Sequence, residues 1–201
     1  IKNIPYDIYN IPGELSLVNY DIGAQGIAYF DYDIADYRNT GPDFKPWNLG
    51  WSYRNDGVDI ETSTDQSISD YHISHTKDGE FLKYTFNVLK NDDYTFKLLS
   101  SSENTSGVVS IRMNNEILIE NTELPISGDY NVWTETDLGT VNLSKGQNSI
   151  TLLIARGGSN LKMLKIESEA SLKGEGIYSH SISPNPTFGS LYIKFESLNS
   201  K

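Results

Sequence analysis

The chain has no cysteine, only two methionines and only three histidines in 201 residues. Lack of cysteine excludes disulfides, thiolate nucleophiles and sulfur-rich metal sites, while saying little about compartment by itself. The histidines, His72, His75 and His180, form no His-Glu-x-x-His pair, and neither a Gly-x-Ser-x-Gly elbow nor a phosphate-cradling loop is present. Basic residues are scarce. Sixteen Lys and Arg stand against 27 Asp and Glu, a net charge of −11, and that field repels phosphates and anionic lipid heads. Neither nucleic acid nor a membrane is therefore expected as a partner. No apolar run is long enough to cross a bilayer. The chain opens on Ile1 without a charged, apolar, small-residue leader, so it reads as an internal piece of a longer protein.

What is abundant is aromatic and turn-forming: 13 Tyr, 7 Phe, 3 Trp and 16 Gly. Alternating runs at 81–88, 94–99, 108–113, 148–154 and 161–166 read as strands. Turn chemistry separates them at 90–93, 113–116, 127–129 and 144–148. No segment offers an amphipathic helix of useful length. The expectation is an all-β fold, an antiparallel β-sandwich of the jelly-roll type, in one monomeric domain over residues 1–167. Small, polar and glycine residues over 168–180 read as a linker. Residues 181–201 read as a tail in which a turn leads into one strand, Leu191-Tyr192-Ile193-Lys194-Phe195.

Four motifs fall in a recognisable order: Ile11-Pro12-Gly13; Gly26-Ile27-Ala28-Tyr29-Phe30-Asp31; Tyr53-Arg54-Asn55-Asp56-Gly57-Val58-Asp59-Ile60-Glu61; and Gly79-Glu80-Phe81-Leu82-Lys83-Tyr84. With Gly128-Asp129-Tyr130-Asn131-Val132-Trp133 and Ser159-Asn160-Leu161, they make the chain resemble the family 6 carbohydrate-binding modules from about Ile11 to Ile166. The resemblance implies a jelly-roll sandwich, appended to a secreted glycoside hydrolase, that holds glycan in a cleft among the loops at one end. It implies two facing aromatic rings at Tyr53 and Tyr130, closed by the amide of Asn160. Such residue types suit a sugar, whose C–H face stacks on a ring while its hydroxyls need donors and acceptors together. Glu61 is a further candidate acceptor. Trp133 is expected in the core.

Three departures from the family qualify that picture. The two glutamates that hold its structural calcium are replaced by Ser16 and Val18, so that site loses its anionic oxygens, no cofactor is expected and the metal content stays open. A glycine-tryptophan-threonine becomes Ser74-His75-Thr76, with His75 expected to fill a packing position. An insertion over 37–51 brings Trp47 and Trp51 ahead of Tyr53, as an extension of the stacking surface or as plugs onto the sandwich. The tail beginning Ile182-Ser183-Pro184-Asn185-Pro186-Thr187 resembles the opening of the C-terminal sorting domain used by the type IX secretion system of Bacteroidetes, which implies a secreted or cell-surface protein.

An enzyme reading fares less well. A glycosidase needs paired carboxylates flanking a bond, and the nearest arrangement, Glu135-Thr136-Asp137, lacks a third acid at the spacing of family 16 glycoside hydrolases. Non-catalytic binding of a neutral β-linked polysaccharide, laminarin-like glucan or agarose-like galactan first, is the function expected, with an adhesin or purely structural sandwich as the alternative.

Overall fold

The computed structural model describes residues 3–32, 53–54, 56–64, 70–114 and 116–169, together with the backbone of 181–184 and 191–194. Fourteen strands are present among them: β1 (Tyr9–Ile11), β2 (Gly13–Ser16), β3 (Tyr29–Phe30), β4 (Ile60–Thr62), β5 (Tyr71–Ile73), β6 (Phe81–Val88), β7 (Asp92–Ser102), β8 (Val108–Met113), β9 (Glu116–Glu123), β10 (Asp129–Leu143), β11 (Gly146–Arg156), β12 (Asn160–Ser168), β13 (Ser181–Pro184) and β14 (Leu191–Lys194). A 3-10 turn stands at Leu17–Asn19.

Two six-stranded sheets build the sandwich. The first runs β1-β6-β11-β8-β9 with β3 also on β6, and the second runs β10-β7-β12-β5-β4 with β2 also on β12. Alternation along β6 sends Leu82, Tyr84, Phe86 and Val88 inward, against Tyr94, Phe96 and Leu98 of β7, Ile150, Leu152 and Ile154 of β11, and Leu164 and Ile166 of β12. Each such side chain contributes about 1.5–3 kcal/mol by leaving water. The outer face of the second sheet carries an ion ladder, with Lys97 Nζ at 2.7 Å from Glu167, Lys165 at 3.0 Å from the same carboxylate, and Glu135 at 3.8 Å from Lys97. Exposed pairs of this kind add little stability but keep the face wet.

β12 organises the second sheet. Its first residues meet β7 and β5, with Asn160 opposite Ser101 and Leu161 opposite both Ser100 and Ile73. Further on, Met163 to Ile166 take β2 on the edge that β5 has vacated. One expectation changes here: the tail holds two strands, because Ser181–Pro184 pairs antiparallel with Leu191–Lys194 where a single strand is expected from alternation. The proline-containing stretch hides the first of them, since Pro184 offers no N–H to the ladder.

Candidate functional site

The end of the second sheet where β12 begins is fixed by an interlocked turn. Gly157 N donates to Asp78 Oδ1 at 2.8 Å, and Gly158 N donates to Thr76 O at 3.0 Å. Thr76 Oγ1 in turn donates to Ser159 O at 2.7 Å. The approach is too close for any side chain at Gly157, and Gly158 has a φ of +95°, a conformation glycine adopts freely. These contacts hold the Gly157-Gly158-Ser159 turn against the segment after β5. Asn160 is thereby delivered beside His72.

His72 is the hub. Its Nε2 lies 3.3 Å from Asn160 Nδ2, its Nδ1 lies 3.0 Å from Ser63 Oγ, and Glu61 Oε2 stands 3.7 Å from Nε2. Glu61 is opposite His72 in the β4–β5 pair, and its other oxygen is 3.3 Å from His75 Nε2. The Trp133 ring meets His72 edge-on at 5.2 Å, and Lys162 Nζ lies 4.9 Å from the centre of the same indole. Burial depresses the His72 pKa, the Glu61 carboxylate opposes that shift, and the Lys162 ammonium adds to it. The ring is therefore neutral at neutral pH. With one nitrogen accepting from the Asn160 amide, the other carries the proton and donates to Ser63.

Around this hub the surface is mixed. His75 is well exposed and has a φ of +49°, and Asn160 is only 6% exposed. The start of β10 closes on the same end: Ser101, the register partner of Asn160, donates through Oγ to Tyr130 O at 2.7 Å, and Thr64 Oγ1 donates to Asn131 Oδ1 at 2.6 Å. The Tyr130 ring is 41% exposed. Tyr53 belongs to a neighbouring tyrosine group, its ring centre 4.9 Å from Tyr71 and 6.2 Å from Tyr6, with its hydroxyl donating to Asn19 Oδ1 at 2.7 Å. Loss of water and the hydrogen bond with Tyr6 raise the Tyr53 phenol pKa. Its φ of +66° is strained for a bulky residue. Trp47 and Trp51 lie outside the described residues.

An amide, a carboxylate and an imidazole beside exposed aromatic edges can hold hydroxyls and stack on a C–H face. Residues 51–168 match the family model described as carbohydrate binding module, family 6. The chain belongs to the family 6 carbohydrate-binding modules. Comparison with curated proteins returns no match. Among solved structures, the module is similar to the C-terminal family 6 module of a marine laminarinase from Zobellia galactanivorans, at 21% identity and a TM-score of 0.51, covering 59% of this chain and 95% of that one. It is also similar to a β-1,3-glucan-binding module from Bacillus halodurans, at 16% identity and a TM-score of 0.55, covering 81% and 100%. A third is the second family 6 module of Cellvibrio mixtus lichenase 5A in complex with cellotriose, at 24% identity and a TM-score of 0.50, covering 56% and 87%. These likenesses establish the β-sandwich, and family membership makes the chain a non-catalytic carbohydrate-binding domain.

Two expectations about the module are corrected. Trp133 is not in the core: it is half-buried on the outer face, against His72 and Lys162, because β10 turns its polar flank of Glu135 and Asp137 outward as well. His75 fills no packing position, since its ring stands in solvent beside Glu61. Of the residues singled out from sequence, the fold brings Glu61 and Asn160 together through His72 and sets Tyr53 in its own cluster. Sequence reasoning missed His72, Trp133 and Lys162, the last fully buried despite its charge. Val18 packs in the core and Ser16 pairs with Met163, where family glutamates would reach for calcium. Among the described residues no group of three His, Cys, Asp or Glu side chains is placed to hold a metal ion.

Proposed function

We propose that the module holds a neutral β-linked glucan or galactan at the end of the second sheet, through Asn160, Glu61 and His75 as polar contacts and Tyr130 and Trp133 as stacking surfaces. The observation that carries this is the convergence of Asn160 and Glu61 on His72, with His75 on the other oxygen of Glu61, at the sheet end where the start of β10 exposes the Tyr130 ring. Tyr53 and Tyr6 form an outer rim, and Trp47 and Trp51 are proposed to lengthen it. Two of the similar structures point to the glycan class, one coming from a laminarinase and one binding β-1,3-glucan, which puts laminarin ahead of agarose and xylan. Attached to a glycoside hydrolase and exported, with the tail serving secretion, the module would concentrate that enzyme on its substrate. A shallow site of this sort binds with a dissociation constant on the order of micromolar to millimolar.

Electrophoresis through gels containing laminarin, mixed-linkage glucan, agarose or xylan tests the reading. The wild-type module is retarded by at least one of them and releases no reducing ends. Asn160→Ala and Tyr130→Ala each lose about 1–3 kcal/mol of binding, and Tyr53→Ala loses less. No retardation in any gel would leave an adhesin or structural sandwich as the better reading. Retardation unchanged in folded Asn160→Ala and Tyr130→Ala would move the glycan to a sheet face.

A further inference from the structure

The site holds a group that neither stacks on sugar nor reaches solvent freely, yet meets side chains from three strands of it. His72 is buried between Asn160 of β12, Ser63 and Glu61 on the β4 side, and Trp133 of β10. An asparagine amide is ambidextrous, with a donor end and an acceptor end of nearly equal shape, so its orientation is decided by whatever lies behind it. Behind Asn160 lies one imidazole nitrogen.

We propose that His72 is the positioning residue that decides which end of the Asn160 amide faces a bound sugar, so that a proton on its ring reverses the presentation and releases the glycan. This rests on the glycan-binding reading above. With the ring neutral, Nε2 accepts from Asn160 Nδ2 at 3.3 Å, which leaves the amide oxygen directed away from His72. Adding a proton to Nε2 turns the acceptor into a donor. Both ring nitrogens then carry hydrogen, Nδ1 keeps its donation to Ser63 Oγ, and the Asn160 N–H faces another N–H. Relief comes by turning the amide over, with its oxygen toward the ring, or by the ring swinging to Glu61 Oε2, now 3.7 Å away. Either movement removes the arrangement that the sugar hydroxyls had met.

The charges around His72 set where this happens. Glu61 favours the proton, while Lys162 and the nearby His75 oppose it, and burial opposes it most. The transition therefore falls below the ordinary histidine value of about 6.5. Lys162 is itself enclosed and holds its place over Trp133, so its opposition is built into the fold. His75 stands in solvent beside Glu61, outside the Asn160–His72 hydrogen bond, which makes it the control for the amide's movement.

The test is an NMR titration of the isotope-labelled chain from pH 8 to pH 5, following the side-chain amide of Asn160, assigned by its disappearance in Asn160→Asp, and the carbon-bound protons of both imidazoles. In the wild type the Asn160 amide resonances move with the same midpoint as the His72 ring. In His72→Gln, whose carbonyl still accepts from Asn160 but cannot titrate, they stay still. In His75→Gln they move as in the wild type. Amide resonances that ignore pH, or that follow His75, would overturn the proposal. A second arm repeats electrophoresis in laminarin, mixed-linkage glucan, agarose and xylan gels at pH 8 and pH 5. The wild type loses affinity about tenfold at the lower pH, the worth of one hydrogen bond, and His72→Gln does not. A wild type retarded equally at both pH values would also overturn it. A module retained by no glycan at pH 8 refutes the binding reading, while the NMR arm still decides whether His72 orients Asn160.

Discussion

Gly157→Ala is the substitution whose consequence the geometry states most sharply. A Cβ added at Gly157 would stand 2.0 Å from the Thr76 carbonyl oxygen, 2.5 Å from its carbon and 2.6 Å from Lys77 Cα. All three are backbone atoms, so no side chain can swing aside. The turn and the segment after β5 must separate by more than an ångström, and that breaks the bonds from Gly158 N to Thr76 O and from Thr76 Oγ1 to Ser159 O. Overpacking costs about 1–3 kcal/mol and the two hydrogen bonds about 1 kcal/mol each, for a total of roughly 3–5 kcal/mol. In a domain of this size that lowers the melting temperature by about 6–20 °C. Asn160 moves with the turn, so glycan affinity falls too. Gly128→Ala is the control: its φ is +83°, but nothing lies within 4 Å of the added carbon, and the cost is only the left-handed backbone, about 1–2 kcal/mol. Differential scanning calorimetry and affinity electrophoresis on both variants give the answer. A Gly157→Ala module melting within about 2 °C of wild type, with affinity intact, would show that the turn does not position Asn160.

Three further expectations follow from the packing. Trp133→Ala should leave a folded domain, destabilised by about 1–3 kcal/mol through exposure of Lys162 and His72, and should bind glycan poorly; loss of the native circular dichroism spectrum would return the indole to the core. Glu80 is held by backbone N–H groups of Lys77 and Tyr32, yet burial, and after it the nearby Asp31, push its carboxyl pKa up to about 7. Because that value is raised above the unfolded one, its contribution to stability is complete at low pH and is lost as pH rises through 7, so the melting temperature should climb between pH 8 and pH 6.5 and the slope should flatten in Glu80→Gln. His72, shifted the other way, lowers stability as pH falls through its ordinary value, and it does so equally in wild type and Glu80→Gln, so the difference between the two reports Glu80. Chelator should move the melting temperature by less than about 2 °C, since Val18 and Ser16 stand where family carboxylates would; a shift near 10 °C would reveal an ion held by other groups.

What could be read in the sequence and what could not divide along physical lines. The long alternating strands β6, β7, β11 and β12 announce themselves because one face is uniformly apolar over many residues. β4 and β5 have three residues each, too few for any period to show, and they carry Glu61 and His72. A Gly157-Gly158 pair is turn-forming by composition, but the reason for the first glycine, contact with Thr76, spans about eighty residues and leaves no local trace. Asn160 and His72 likewise meet across a separation of 88. Trp133 misleads because tryptophan is apolar by composition, while its partners, a lysine and a histidine from other strands, make it a lid over polar groups.

The path of β12 bears on how the module would work in a longer protein. The strand starts at Asn160, in the site, and runs to Ser168 at the far end of the sheet, where β2 takes over its edge. Nine extended residues span roughly 25–30 Å. On the proposed reading, a domain joined at this end of β12 would be held on the side of the sheet remote from the glycan, and the sandwich would serve as a stand-off spacer whose own thickness sets how near to the gripped chain that neighbour could work.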